Sequence, residues 1–225
     1  FKSEFEDEIL DTISDFNTYG NLYFSFNSDT RDRSYLATKG LKSELRVEYV
    51  MPISKKDWVS NVFDNSLVFW FKANYSVPLI GKKLVLRPGL FMGGTYQRNY
   101  PFSTDQPVRN YKRSPVQYWF YLGGQAQSNY LKTIQPFTGV DFLQRYGLYQ
   151  YTVNLDLQYN FYTKLYLTLK ADIGASTWFL GDLFTKEQFI VGYGAKLSYD
   201  SFIGPVELSV MGSNIYNGIS FYIGV

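Results

Sequence analysis

The chain contains no cysteine and no histidine. Without cysteine it has no disulfide framework, no thiol nucleophile and no thiolate metal ligand. Without histidine it lacks the commonest general base and the commonest metal ligand. No stretch approaches the roughly 18–20 apolar residues of a transmembrane helix, and mean hydropathy is only −0.21. The formal charge of +2 over 225 residues leaves no basic footprint for nucleic acid. No cofactor is expected. What the chain has in abundance is aromatic side chains: 21 Tyr and 19 Phe help bring the aromatic share to 20%. High aromaticity with soluble-looking hydropathy is what strands produce when one face meets lipid and the other meets water.

Residues 149–173 carry that signal most strongly. Tyr149, Tyr151, Val153, Leu155, Leu157, Tyr159 and Phe161 alternate with Gln150, Thr152, Asn154, Asp156, Gln158 and Asn160. After a turn at 162–164, Leu165, Leu167, Leu169, Ala171 and Ile173 alternate with Tyr166, Thr168, Lys170 and Asp172. Period-2 alternation sorts side chains to opposite faces of a strand. Runs of this length match the roughly 9–11 residues of a tilted bilayer-crossing strand rather than the shorter strands of soluble sandwiches. Tyr149 and Tyr151 at one end, with Tyr159 and Phe161 at the other, suggest interfacial aromatic girdles. The fold class expected is all-β: an antiparallel transmembrane outer-membrane β-barrel. The neighbours expected are outer-membrane lipid and, in a larger complex, protein partners.

The same alternation marks strands at 19–28, 41–51, 67–77, 84–92, 189–199, 206–210 and 219–225. Lys42, Glu44, Arg46 and Glu48 share one face, where lipid exposure near the midplane costs several kcal/mol per charge. They therefore read as a lumenal lattice of ion pairs. Asp156, Lys170, Asp172, Lys196 and Glu207 join this lumen wall. Asp156, Asp172 and Glu207 suit either a calcium site or, better, pairing with Lys170 and Lys196. Gly192 and Gly194 mark a place on the wall where another backbone comes close. Residues 1–17 are acidic and read as a loop or short helix, and 18–225 as the barrel.

Residues 95–148, with Pro101, Pro107, Pro115 and Pro136, read as a long loop folding into the lumen. Val116–Leu122 has a second reading as one more strand. The turns at 78–82, 162–164 and 200–204 are short, and short turns lie on the periplasmic side of such barrels. They share a side only if 95–148 holds no spanning strand, which gives about nine strands. An odd open set leaves an edge unpaired in lipid, so further strands preceding this chain are expected.

Tyr35-Leu36-Ala37-Thr38-Lys39-Gly40 resembles the periplasmic Y-x-P-T-x-G turn of the BAM-type assembly and two-partner secretion barrel superfamily, with Ala37 at the proline position. Leu122-Gly123-Gly124 and Pro136-Phe137-Thr138-Gly139 resemble that superfamily's F-x-G-G and V-R-G-F loop. Gly192-Tyr193-Gly194 through Gly204-Pro205-Val206-Glu207-Leu208 resembles its penultimate hairpin. The resemblance implies that Gly123, Gly124, Pro136, Phe137 and Gly139 sit in the lumen.

Thr138 stands where the superfamily's loop arginine does. In this respect the chain is more similar to barrels fused to patatin-like phospholipases in Bacteroidota-type bacteria. Those carry a patatin domain, a POTRA module and a sixteen-strand barrel, of which this chain resembles the last nine strands. The resemblance implies a membrane anchor and translocation unit of a surface phospholipase. The alternatives are an assembly or secretion barrel, and a porin-like or partner subunit of an outer-membrane complex. The chain has no G-x-S-x-G elbow; Ser176 and Asp172 lack the context of a patatin dyad. Any lipid acyl hydrolase activity lies outside these residues.

Overall fold

The computed structural model describes residues 19–53, 65–98, 100, 115–125, 132–202 and 204–224; the acidic segment 1–17 lies outside them. Nine long strands form one antiparallel sheet. They are β1 (Tyr19–Asp29), β2 (Gly40–Pro52), β3 (Ser66–Ile80), β4 (Leu84–Gln97), β8 (Tyr149–Tyr162), β9 (Leu165–Thr177), β10 (Ile190–Ser201), β11 (Gly204–Ser213) and β12 (Tyr216–Gly224). Each strand pairs with the next in this order. Three short strands, β5 (Phe120–Leu122), β6 (Ile134–Gln135) and β7 (Arg145–Gly147), make a separate sheet in the order β6-β5-β7.

The strands form where the alternation places them, and register follows from burial. Along β8 and β9, Asn154 lies opposite Asp172 and Asp156 opposite Lys170, while Val153 faces Ile173 and Leu155 faces Ala171. Polar pairs and apolar pairs therefore fall on opposite faces, and a slip of one residue would invert every one. β4 pairs directly with β8 from Leu84↔Tyr159 to Gly94↔Tyr149. None of the described residues between these two strands crosses the sheet, and Val116–Leu122 is a 3-10 turn leading into the short β5.

The sheet is curled. Arg33, in the turn between β1 and β2, donates to the Tyr166 hydroxyl of β9 at 3.3 Å. In a flat sheet, strands four places apart stand about 19 Å from one another. The turns at 30–39, 81–83 and 163–164 lie at one end of the sheet. There Asn160 N–H donates to Lys83 O (2.7 Å) and Asp200 N–H to Lys164 O (2.8 Å), tying two of these turns to the neighbouring strand ends.

Outside the curl runs a continuous apolar face, including Phe69, Phe71, Leu155, Leu169, Val191 and Leu208, all exposed. Few water-facing surfaces carry such a belt. Inside lie polar wall residues and, toward the far end, Val50, Val68, Trp70 and Phe91 packed on Phe120.

Two sequence expectations are corrected. Tyr149 and Tyr151 are not an exposed girdle: both are buried, and the Phe184 ring stacks on Tyr151 at 5.1 Å. The segment after β9 covers them with Leu183 and Phe184, whereas Tyr159 and Phe161 do lie exposed. β4 is also longer than its one proline and its glycines suggest, running through Pro88, Gly93 and Gly94 to Gln97.

Candidate functional site

The lumen wall is held by short ion pairs. Lys42 reaches Glu44 at 2.9 Å and Arg46 reaches Glu48 at 2.7 Å along β2, because residues two apart on a strand share a face. Glu48 also accepts from Asn21 (2.6 Å) and from the Tyr118 hydroxyl (3.3 Å). Lys196 on β10 meets Glu207 on β11 at 2.6 Å. Asp156 takes Arg87 of β4 at 3.1 Å rather than Lys170, its register neighbour, because the guanidinium reaches across from the adjacent strand. Lys170 has no ion pair among the described residues.

Asp172 does something different. It is buried and accepts the backbone N–H of Thr138 at 2.7 Å, tying the loop between β4 and β8 to β9. Asp156, Asp172 and Glu207 thus stand on three strands with three separate partners. Among the described residues no group of three acidic side chains is placed to hold a metal.

Loop and wall meet through glycines. A Cβ on Gly192 would run into the Thr138 carbonyl oxygen and lie 3.0 Å from the Phe137 ring, and one on Gly194 would lie 3.1 Å from Thr138 Cγ2. Gly139 holds φ +72° with its Cα against the Gly212 backbone. Gly123 and Gly124, at φ +128° and +78°, turn the chain so that their N–H groups reach Gln135 O (3.0 Å) and Val140 O (2.8 Å). Pro136 lines the chamber beneath, and Phe137 packs with Leu122, Val140 and Ile190. The structure therefore brings Gly123, Gly124, Pro136, Phe137, Gly139, Asp172, Gly192 and Gly194 together. Lys42, Glu44, Arg46, Glu48, Lys196 and Glu207 form the wall on either side.

Several residues of the site went unread in the sequence. Phe120 sits over Gly93, whose missing side chain makes the seat. Arg87 was masked by Pro88 beside it. Lys72 had a usable signal, the one charge on a strand whose other inward side chains are neutral.

The turn at 30–39 closes the opposite end. Leu36, Ala37 and Thr38 are buried, and Gln158 of β8 donates to the Leu36 carbonyl at 3.5 Å. Arg33 also lies 3.8 Å from Asp200. Within the turn, Asp32 accepts from the Thr38 hydroxyl (2.5 Å) and from the Thr38 and Lys39 amides (2.8 and 3.3 Å). Burial alone pushes the Asp32 carboxyl up, but these hydrogen bonds outweigh it and hold the pKa below its ordinary value.

The profile of the OMP85 superfamily matches residues 2–224. The chain belongs to the OMP85 superfamily. Among solved structures it is similar to BamA from Haemophilus ducreyi lacking POTRA domains 1-3, with TM-score 0.63 and 15% identity. The likeness covers 90% of this chain and 40% of that one. No curated protein matches. Family and fold make this an outer-membrane β-barrel chain. Nothing in these comparisons supports the patatin-like resemblance. In this OMP85 chain the loop between β4 and β8 is fastened through the Thr138 peptide group, with Asp172 as acceptor.

Proposed function

We propose that this chain is the barrel portion of an outer-membrane machine that assembles or secretes other proteins, working within a complex of protein partners. The observation that carries this reading is the seated loop. Residues 134–140 are held against the wall by the Asp172–Thr138 hydrogen bond and by the close approach at Gly192 and Gly139. Superfamily membership and the BamA-like fold support the same reading. Paired wall charges and a lumen filled from both ends argue against a passive pore. The test is depletion of the full-length gene product in its host, followed by quantitative proteomics of the outer membrane. Broad loss of β-barrel proteins, or loss of a defined set of exported ones, is the expected result. An unchanged outer-membrane proteome overturns the proposal.

A second reading draws on Thr138. A loop without the superfamily's arginine resembles the barrels that anchor patatin-like phospholipases. Fatty-acid release from phospholipid by the full-length gene product, abolished by alanine at an upstream G-x-S-x-G serine, distinguishes it from the first.

A further inference from the structure

A cavity of about 260 Å3 lies within the curl, floored by Arg31 and Leu36 of the 30–39 turn and roofed by Gln135 and Pro136 of the loop. Five cations line it, Arg31, Lys42, Lys72, Arg87 and Lys170, against the carboxylates of Asp156 and Asp172. Three of the five have a carboxylate in direct contact: Arg31 with Asp29 at 2.7 Å, Lys42 with Glu44 at 2.9 Å, Arg87 with Asp156 at 3.1 Å. Lys72 and Lys170 have none among the described residues.

The register explains both vacancies. Glu44 lies opposite Lys72 but is bonded by Lys42, and Asp156 lies opposite Lys170 but is bonded by Arg87. Asp172 gives Oδ2 to the Thr138 amide, while its Oδ1 is buried with no protein partner. The chamber thus offers two unmatched ammonium groups and two carboxylate oxygens without a protein partner, Asp172 Oδ1 and Asp156 Oδ1; of the two carboxylates only Asp172 has no cation bonded to it. An ammonium removed from bulk water without a counter-charge is unfavourable, and so is a buried acceptor without a donor.

We propose that this chamber binds a protonated tetrahedral oxyanion, of which monohydrogen phosphate is the example at neutral pH. Lys72 and Lys170 supply the counter-charge, and Asp172 Oδ1 accepts the anion's O–H. The acceptor sets the specificity. Monohydrogen phosphate has an O–H to donate, whereas sulfate, of the same shape and charge, only accepts and meets Asp172 with repulsion. The floor and roof favour a free ion over the headgroup of a lipid.

The test is calorimetric titration of the full-length protein, freed of phospholipid in a non-ionic detergent, with sodium phosphate and separately with sodium sulfate. Phosphate is expected to bind about tenfold or more tightly than sulfate, and Lys72→Gln and Lys170→Gln each to weaken phosphate by about tenfold. Asp172→Asn, whose amide can donate, is expected to bring sulfate up to phosphate. Should that variant not fold, the wild-type ratio of the two anions still decides. Equal affinity for both anions, no phosphate heat, or binding indifferent to both lysine variants overturns the proposal. Competition by phosphatidic acid in mixed micelles overturns the free-ion assignment.

Discussion

Asp172 joins two elements through a single carboxylate, and its replacement isolates that link. In Asp172→Ala the Thr138 N–H loses a charged acceptor in a buried setting, which costs about 1.5–3 kcal/mol. The expected outcome is a lower midpoint in urea unfolding of the full-length protein in detergent, together with faster amide exchange at residues 134–140. Gly192 tests the same contact from the wall. Gly192→Val drives a side chain into the Thr138 carbonyl, so exchange protection of the loop falls while that of β9 and β11 persists. Unchanged loop exchange in both variants removes the loop seat from the account. By contrast Arg33→Ala is expected to be nearly silent in the same unfolding assay. Its ion pair with Asp200 is more than a third exposed and long, and its hydrogen bond to Tyr166 is also long at 3.3 Å, which puts the change in the range of about 0–1 kcal/mol.

At the scale of elements, the 30–39 turn carries the clearest pH dependence. The Asp32 pKa is held below its ordinary 3.8 by the Thr38 and Lys39 donors. A group with a depressed folded pKa lends stability above its unfolded value and loses it as pH falls through its folded value. Exchange protection of the Thr38 and Lys39 amides is therefore expected to hold at neutral pH and to fade below about pH 4. In Asp32→Ala protection is weak throughout and no transition remains. A transition that persists in that variant assigns it to another carboxylate.

The elements also differ in how far they could be read from residue order. β8 and β9 were legible because one face is exposed and apolar and the other a polar wall, which leaves a strict period of two. β4 was legible only in part. Its inner face carries Gly93, which exists to seat Phe120, and a cavity for another segment's side chain looks in the sequence like a defect. Val68 and Trp70 break the alternation of β3 for the complementary reason, being inward-facing and apolar because they meet Phe120, yet the strand was still legible over 67–77. The short sheet β6-β5-β7 left no periodic trace at all, since strands of two or three residues are too brief to show one. Of the site, the wall charges and the wall glycines were visible. The pairing of Asp156 with Arg87 was not, because it depends on which strand lies alongside β8.

For the whole molecule, the sheet is a curl whose interior is occupied from both ends, by the turn at 30–39 and by the loop after β4. The full-length barrel is accordingly expected to conduct ions poorly in planar bilayers. Replacing residues 115–147 with a short Gly-Ser linker spares the pairing of β4 with β8 while removing Phe120, Phe137 and the Thr138 link. Single-channel conductance is expected to rise several-fold, as an unfilled lumen admits hydrated ions. Equal conductance before and after the replacement shows that something other than this loop closes the barrel.

The link at Thr138 also bears on how such chains are found. Its donor is a peptide N–H, which nineteen of the twenty amino acids supply alike; only Thr138→Pro deletes it outright. Size still matters there, since the residue is enclosed, but chemical identity does not. A lock written in main-chain atoms is invisible to a search for a particular letter. It can drift in spelling while keeping its grip, and it is recovered only by asking which carboxylate on the facing strand has stayed.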